Sequence, residues 1–187
     1  MQKSDFHGVL PAITTKMTAD QQVDLDGVKA DVVFQIEGGV DAIVVCGSLG
    51  EASSLTVAEK LAIAKAAIEA AAGRVPVLLT IAEDSTSVGA ALAAEAEKIG
   101  VEGLMVLPAM RYLADDREVV VHYRAIAAAS NLPIIVYNNP RPMASTSPPK
   151  CSRRWPTSPN SSPSRNRPAT RVASTKPSMR WVIGISC

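Results

Sequence analysis

Short apolar runs and longer amphipathic stretches alternate along residues 1–140, repeating about every thirty residues. Gly8–Thr14 reads as a first strand. Leu25–Glu37 follows as a helix, ended by Gly38 and Gly39, since glycine accepts the left-handed backbone that closes a helix. Asp41–Cys46 is a continuous β-branched run, the pattern of a strand covered on both faces. Thr56 caps a helix reaching Ala72, and Glu59, three residues on, completes a capping box. Leu61, Ala64, Ile68 and Ala71 of that helix fall on one stripe. The same alternation then predicts a strand over Val75–Ile81, a helix over Ser85–Ile99 and a strand over Val101–Pro108. Asp115–Ser130 reads as a fourth helix, with Asp115, Asp116 and Glu118 where its dipole favours negative charge, and Leu132–Tyr137 as a fifth strand.

Strands regularly separated by helices imply right-handed βαβ units and a parallel sheet. Doubly wound sheets and (β/α)8 barrels share this rhythm. No G-x-G-x-x-G follows the first strand, which disfavours a dinucleotide fold. Polar and small residues instead close successive strands: Thr14 and Thr15, Gly47 and Ser48, Thr80, Tyr137 and Asn138. In a barrel, that end of the strands is where active sites are built. The fold expected is an incomplete (β/α)8 TIM barrel of about five strands and four helices, occupying 1–140.

Charge divides the chain at the same point. Residues 1–140 hold all 18 acidic and 10 of the 19 basic residues, whereas 141–187 hold 9 basic residues and no acid. The second segment also carries 8 of the 13 prolines and both tryptophans. Its few apolar side chains cannot offset the entropy cost of ordering it, so 141–187 is expected to be a disordered basic tail, apart from Trp181–Ile185. With only five strands the sheet should stay open and expose Val, Ile and Leu of its inner face. An apolar content of 47% excludes a wholly disordered protein, and no apolar run approaches bilayer length. Met1–Gly8 carries Lys3, Asp5 and His7 and no apolar stretch, so no secretory signal is expected. Cys46, Cys151 and Cys187 show no metal-ligand spacing; no metal or cofactor is expected, and a cytoplasmic location is.

Two segments carry candidate chemistry. Gly47-Ser48-Leu49-Gly50-Glu51 follows a buried strand, where glycines let the backbone approach an anion and the Ser48 hydroxyl with nearby N–H groups can hold a carboxylate. Taken alone, such a pentapeptide also makes an ordinary strand-to-helix turn. Tyr137 places a phenol at the same rim, able to relay protons or orient a carbonyl, or simply to leave its hydroxyl in water. Cys46 reads as a small buried hydrophobe. His122 lies on an exterior helix without partners and His7 in a terminal segment, so neither is expected to act as a base. Glu51 suits the following helix N-terminus or a subunit contact better than an acid's role.

Together these segments resemble the family of dihydrodipicolinate synthase and N-acetylneuraminate lyase, pyruvate-handling class I aldolases on a TIM barrel. G-V-L-P-A-I-T-T at 8–15 is similar to the family's first strand, G-S-L-G-E with S-L-T-x-x-E at 47–59 to its carboxylate-binding segment, and L-P-I-I-V-Y-N-N-P at 132–140 to its Y-N-x-P strand. The resemblance implies that Ser48 and Leu49 bind the carboxylate of pyruvate or a related 2-keto acid. It implies that Gly47, Gly50 and Thr14 support them and that Tyr137 is the catalytic proton relay; the family is usually a homotetramer, an assembly not expected of this chain. In the lysine-biosynthetic synthases themselves a threonine stands where Leu49 is, and a second tyrosine from a neighbouring subunit falls near Ala109 and Met110, with Tyr112 out of register. A relative acting on another 2-keto acid is therefore expected, the alternative being 4-hydroxy-tetrahydrodipicolinate synthase proper.

Family chemistry also requires a lysine at the end of the next strand, whose amine forms an imine with the ketone. After Tyr137 the lysines are Lys150 and Lys176, both in Pro/Ser/Arg-rich sequence without a strand pattern, so this chain has no Schiff-base lysine and is expected to be inactive. Shifted by one frame, with free third bases, the codons of Arg141–Ser152 can yield P-Y-G-V-D-I-T-P-E-M-F and those of Pro163–Val172 V-K-E-S-S-G-D-T-R-R, which resembles the family's lysine motif. A frameshift near Pro140 is the explanation expected. The competing reading is a basic arm that neutralises nucleic-acid phosphates, with Trp155 and Trp181 as stacking groups.

Overall fold

The computed structural model describes residues 8–109, 111 and 114–137, together with the backbone of 181–183. Helix α1 spans Leu25–Glu37, and the Asp24 carboxylate caps it by accepting from the Gly27 N–H at 2.9 Å. Strand β1 is Ile43–Val45 and α2 is Val57–Ala71, the latter with the complete Thr56–Glu59 capping box. Strand β2 is Val77–Ile81, α3 is Thr86–Lys98, and β3 is Gly103–Val106. Helix α4 is Asp116–Ala129, opened by a second capping box from Asp115 and Glu118, and β4 is Ile134–Val136. Strand β5 is Trp181–Ile183. Each predicted helix is present to within a residue or two; side-chain caps fix the starts of α1, α2 and α4.

The sheet is parallel throughout, in the order β1-β2-β3-β4-β5. Sequential order means no switch point, and this separates a barrel wall from a doubly wound sheet. The helices agree, because all four pack on one face. Val28 and Val32 of α1, Ile63 and Ala67 of α2, Leu92 and Ala96 of α3, and Tyr123 and Ile126 of α4 share one core with Ile43, Val45, Leu79, Ile81, Leu104, Val106, Ile134 and Val136. Alternation along each strand turns the intervening residues the other way. On that inner face Ala42, Val44, Leu78 and Ile135 form a second cluster with Leu10 and Met105. No helix among the described residues is long and apolar enough to cross a membrane.

Three expectations need correction. Gly8–Thr14 does not form a regular strand. It runs beside β1 with one parallel bridge, Ala12 to Val44, while Val9 and Pro11 accept from the N–H groups of Asp41 and Val44 and Ile13 donates to Val44. Pro11 has no N–H to extend the ladder. The sheet edges at β1 and β4 are not bare, since this segment lies along one and β5 pairs with the other. Nor is the inner face open to solvent: Ala42, Val44, Leu78 and Ile135 are all buried. The disorder expected for the rest of 141–187 lies outside the described residues, as do Lys150, Lys176 and Trp155.

Candidate active site at the carboxyl end of the sheet

The carboxyl ends of the strands meet the loops that lead into the helices, and the 47–51 segment is one of those loops. Strand β1 stops at Val45 because Cys46 adopts a left-handed backbone, φ 56°. A non-glycine residue held there stores strain that its surroundings must impose. The Cys46 side chain is buried on the helix side, with Sγ 4.0 Å from the Lys60 carbonyl oxygen. Burial, foremost, pushes its thiol up to about 12 with a smaller push from Glu83, against the pull of Lys60. The thiol is therefore protonated and inert.

Beyond Cys46 the chain turns tightly. Ser48 and Gly47 carbonyl oxygens accept from the N–H groups of Glu51 and Ala52, and Glu51 is again left-handed at φ 59°. Gly50 is the one position in this turn that must lack a side chain, since a Cβ there would lie 3.0 Å from the Ile13 carbonyl oxygen and 3.2 Å from the Gly47 nitrogen. Thr15, buried, donates its hydroxyl to the Gly50 carbonyl at 2.7 Å and so ties the turn to the N-terminal segment. Ser48 and Leu49 stand at the tip, both exposed, Leu49 to 75%. The loop thus presents a hydroxyl and an apolar side chain from a backbone fixed on both sides.

Thr14, named as a supporting residue, is exposed, and its hydroxyl accepts from the Lys16 ammonium at 3.1 Å. The contact that holds the loop comes from Thr15. Alternation from buried Ile13 carries the signal for it, because residues two apart in an extended segment share a side.

Tyr137 extends β4 by one ladder bond, donating its N–H to Val106 at 2.9 Å, and its side chain is half-buried. The Tyr123 hydroxyl, from the fully buried side chain on α4, donates to the carbonyls of Val106 at 3.2 Å and Tyr137 at 3.4 Å. Strands β2 and β3 separate Tyr137 from the 47–51 loop, about 14 Å along the sheet at strand spacing. Both occupy the carboxyl end, as one barrel mouth requires. Asn138, Met110 and Tyr112 lie outside the described residues.

Sequence reasoning missed two features of this rim. Lys60, four residues after the capping Thr56 of α2, is buried and paired with Glu83 in the loop after β2; their side chains are 4% and 15% exposed. No local pattern announces a pair 23 residues apart. His122 is not a partnerless surface residue: it is buried between α3 and α4, with Nδ1 2.9 Å from the Thr86 hydroxyl. Burial holds its pKa below the ordinary histidine value, and the Leu107 backbone pulls the other way.

Known proteins place this arrangement. The sequence profile of the Dihydrodipicolinate synthetase family matches residues 5–154. A 4-hydroxy-tetrahydrodipicolinate synthase of Moorella thermoacetica is 37% identical over 132 residues, which are 71% of this chain and 45% of that protein. The chloride-inhibited dihydrodipicolinate synthase of Acinetobacter baumannii, solved with pyruvate, superposes with a TM-score of 0.75 at 30% identity, over 79% of this chain and 50% of that one. N-acetylneuraminate lyase of Mycoplasma synoviae gives a TM-score of 0.69 at 29% identity, over 76% of this chain and 48% of its own. The chain spans about half the length of the curated relatives it matches. Its four helices and the parallel strands β1 to β4 are the matching portion of a TIM-barrel wall, and the chain belongs to the dihydrodipicolinate synthetase family of aldolases and lyases.

Proposed function

We propose that residues 1–140 are the amino-terminal portion of a class I aldolase or lyase that takes pyruvate or a related 2-keto acid, and that this chain lacks the amine needed to turn it over. What carries the reading is the 47–51 loop. It sits at the carboxyl end of β1, fixed by strained Cys46 and by the Thr15–Gly50 hydrogen bond, with Ser48 at its tip. A carboxylate placed there accepts from the Ser48 hydroxyl and the backbone N–H of Leu49, and Gly47 and Gly50 let it approach. Thr14 shares the rim. Tyr137 supplies a phenol to pass a proton to or from the reacting carbon.

The chemistry that follows carboxylate binding needs a neutral amine to attack the ketone, lose water and form an imine that draws electrons from the adjacent carbon. Lys150 and Lys176 are the only lysines after Tyr137. We read 141–187 as a separate, frameshifted tail in which the reactive lysine has been lost near positions 164 and 165. Leu49, in place of a hydroxyl-bearing residue, breaks the relay of the lysine-biosynthetic enzyme, so a different 2-keto acid is the preferred substrate. The family's tetramer is not expected of this chain.

The test combines trapping with repair. The full chain is incubated with pyruvate and borohydride and its lysines are examined by mass spectrometry. No adduct is expected. The chain with its frame restored after Pro140 is expected to gain one adduct, on the restored lysine. Trapping on Lys150 or Lys176 in the chain as it stands would overturn the inactivity, and no trapping in the restored chain would overturn the imine chemistry.

A further inference from the structure

Thr80 is the next-to-last residue of β2 and is fully buried, yet its hydroxyl has no hydrogen-bond partner. Buried hydroxyls rarely go unpaired, because desolvation is then uncompensated. Thr80 follows Leu78 on the inner face, away from the helices. The register pairs Val45 with Leu79, so Cys46 would have come opposite Thr80 had β1 continued. Its left-handed turn instead brings Gly47 there: a Cβ built on Gly47 would lie 3.8 Å from the Thr80 hydroxyl oxygen and 3.6 Å from the Ala12 Cβ. An unpaired hydroxyl therefore faces a glycine in the loop that presents Ser48, across a gap one methyl group would fill.

We infer that Thr80 is a further substrate-binding residue, whose hydroxyl donates to the carboxylate of a short 2-keto acid held at the 47–50 turn. The inference rests on the reading of that loop as the carboxylate site. A carboxylate offers several lone-pair sites, and Ser48 with one backbone N–H leaves acceptor capacity that a hydroxyl from the neighbouring strand satisfies. Free of ligand, the hydroxyl carries a stability cost that binding relieves, as expected of a group kept for function.

The experiment uses the full chain, with pyruvate as the probe and affinity measured by ligand-observed NMR alongside thermal unfolding. Thr80→Val keeps the shape and removes the hydroxyl. It is expected to weaken pyruvate binding about ten- to hundredfold, the worth of one hydrogen bond to a charged group, without lowering Tm. Thr80→Ser is expected to bind like the parent. Gly47→Ala, which meets only ordinary contacts, is expected to fold and to lose binding by filling the gap. Unchanged affinity in Thr80→Val, with Ser48→Ala impaired, sinks the role of Thr80 and leaves the loop reading standing. A fall in Tm for Thr80→Val shows a structural partner for the hydroxyl and also overturns it. A parent chain that binds no pyruvate overturns the loop reading, and this inference with it.

Discussion

The layer between the sheet and its helices and the inner face of the same sheet follow different rules. The helix side buries a continuous set of Ile, Leu, Val and Ala from every strand and helix, and most of its polar groups find partners, although His122 Nε2 and Ser130 Oγ on α4 and at its end do not. Lys60 meets Glu83, the Tyr123 hydroxyl donates to two strand-end carbonyls, and His122 meets Thr86. Among the described residues the inner face buries a smaller apolar cluster of Ala42, Val44, Leu78 and Ile135, with Leu10 and Met105 partly covered, and a buried Thr80 whose hydroxyl is unpaired. Both faces share one backbone, and the difference lies in how much apolar surface each buries. The outer layer supplies most of the driving force for folding, and the smaller inner cluster adds to it.

Leu78 and Leu79 put this to the sharpest test, being adjacent, identical and turned to opposite faces of β2. Leu79→Ala is expected to cost about 3–5 kcal/mol by urea denaturation, because a well-packed layer cannot collapse around the cavity. Leu78→Ala should cost about 2 kcal/mol, at the low end for a buried leucine with fewer fixed neighbours. Equal losses would erase the distinction between the faces. Next in size is Lys60→Met, which leaves Glu83 without its partner. Removing one member of a fully buried pair costs about 3–5 kcal/mol, but Glu83 retains some contact with solvent, which lowers the expectation to about 1–3 kcal/mol. The double variant Lys60→Met, Glu83→Gln should recover part of that loss, and no recovery would mean the lysine acts through its packing alone.

The elements set by local rules were legible in the sequence. Leu25–Glu37 matches α1 at both ends because Asp24 caps one and Gly38 and Gly39 close the other. The two capping boxes place α2 and α4 in the same way. Strand ends were read too long. Asp41–Cys46 shrinks to Ile43–Val45 because Cys46 turns left-handed, and nothing in a cysteine's chemistry forecasts that. The loop bearing Ser48 was found by its motif, but what fixes it was not. Thr15, Lys60 and Thr86 act through contacts 35, 23 and 36 residues away in sequence, beyond the reach of periodicity or capping rules. Hydrophobic pattern reports which side of an element is buried, not which polar group on another element waits there.

Tyr123→Phe removes a hydroxyl that joins the ends of β3 and β4 through the Val106 and Tyr137 carbonyls. A loss of about 1 kcal/mol is expected, the net worth of a buried hydrogen bond, and amide exchange at Tyr137 should quicken more than at residues of β1. Uniform quickening across the sheet would show instead that the hydroxyl serves global stability, and the β4 rim would lose its claim to separate support.

The smallest effect expected is one of pH, from His122. Burial disfavours its charged form, so its pKa in the folded chain lies below the ordinary value of about 6.5. Below that value the unfolded chain takes up a proton that the folded chain still refuses, and stability falls with pH. The contribution is whole above about pH 6.5 and is lost as pH drops through the lower, folded value. His122→Gln keeps a polar group beside Thr86 and removes the titration. Its unfolding free energy should vary less with pH between about 5 and 7 than that of the parent. Because α3 and α4 pack against the helix side, the dependence belongs to folding and not to the inner face. Pyruvate affinity, measured where both proteins are folded, should therefore be the same for parent and variant across that range. A shift in affinity with His122→Gln would join the two faces that the rest of the molecule keeps apart.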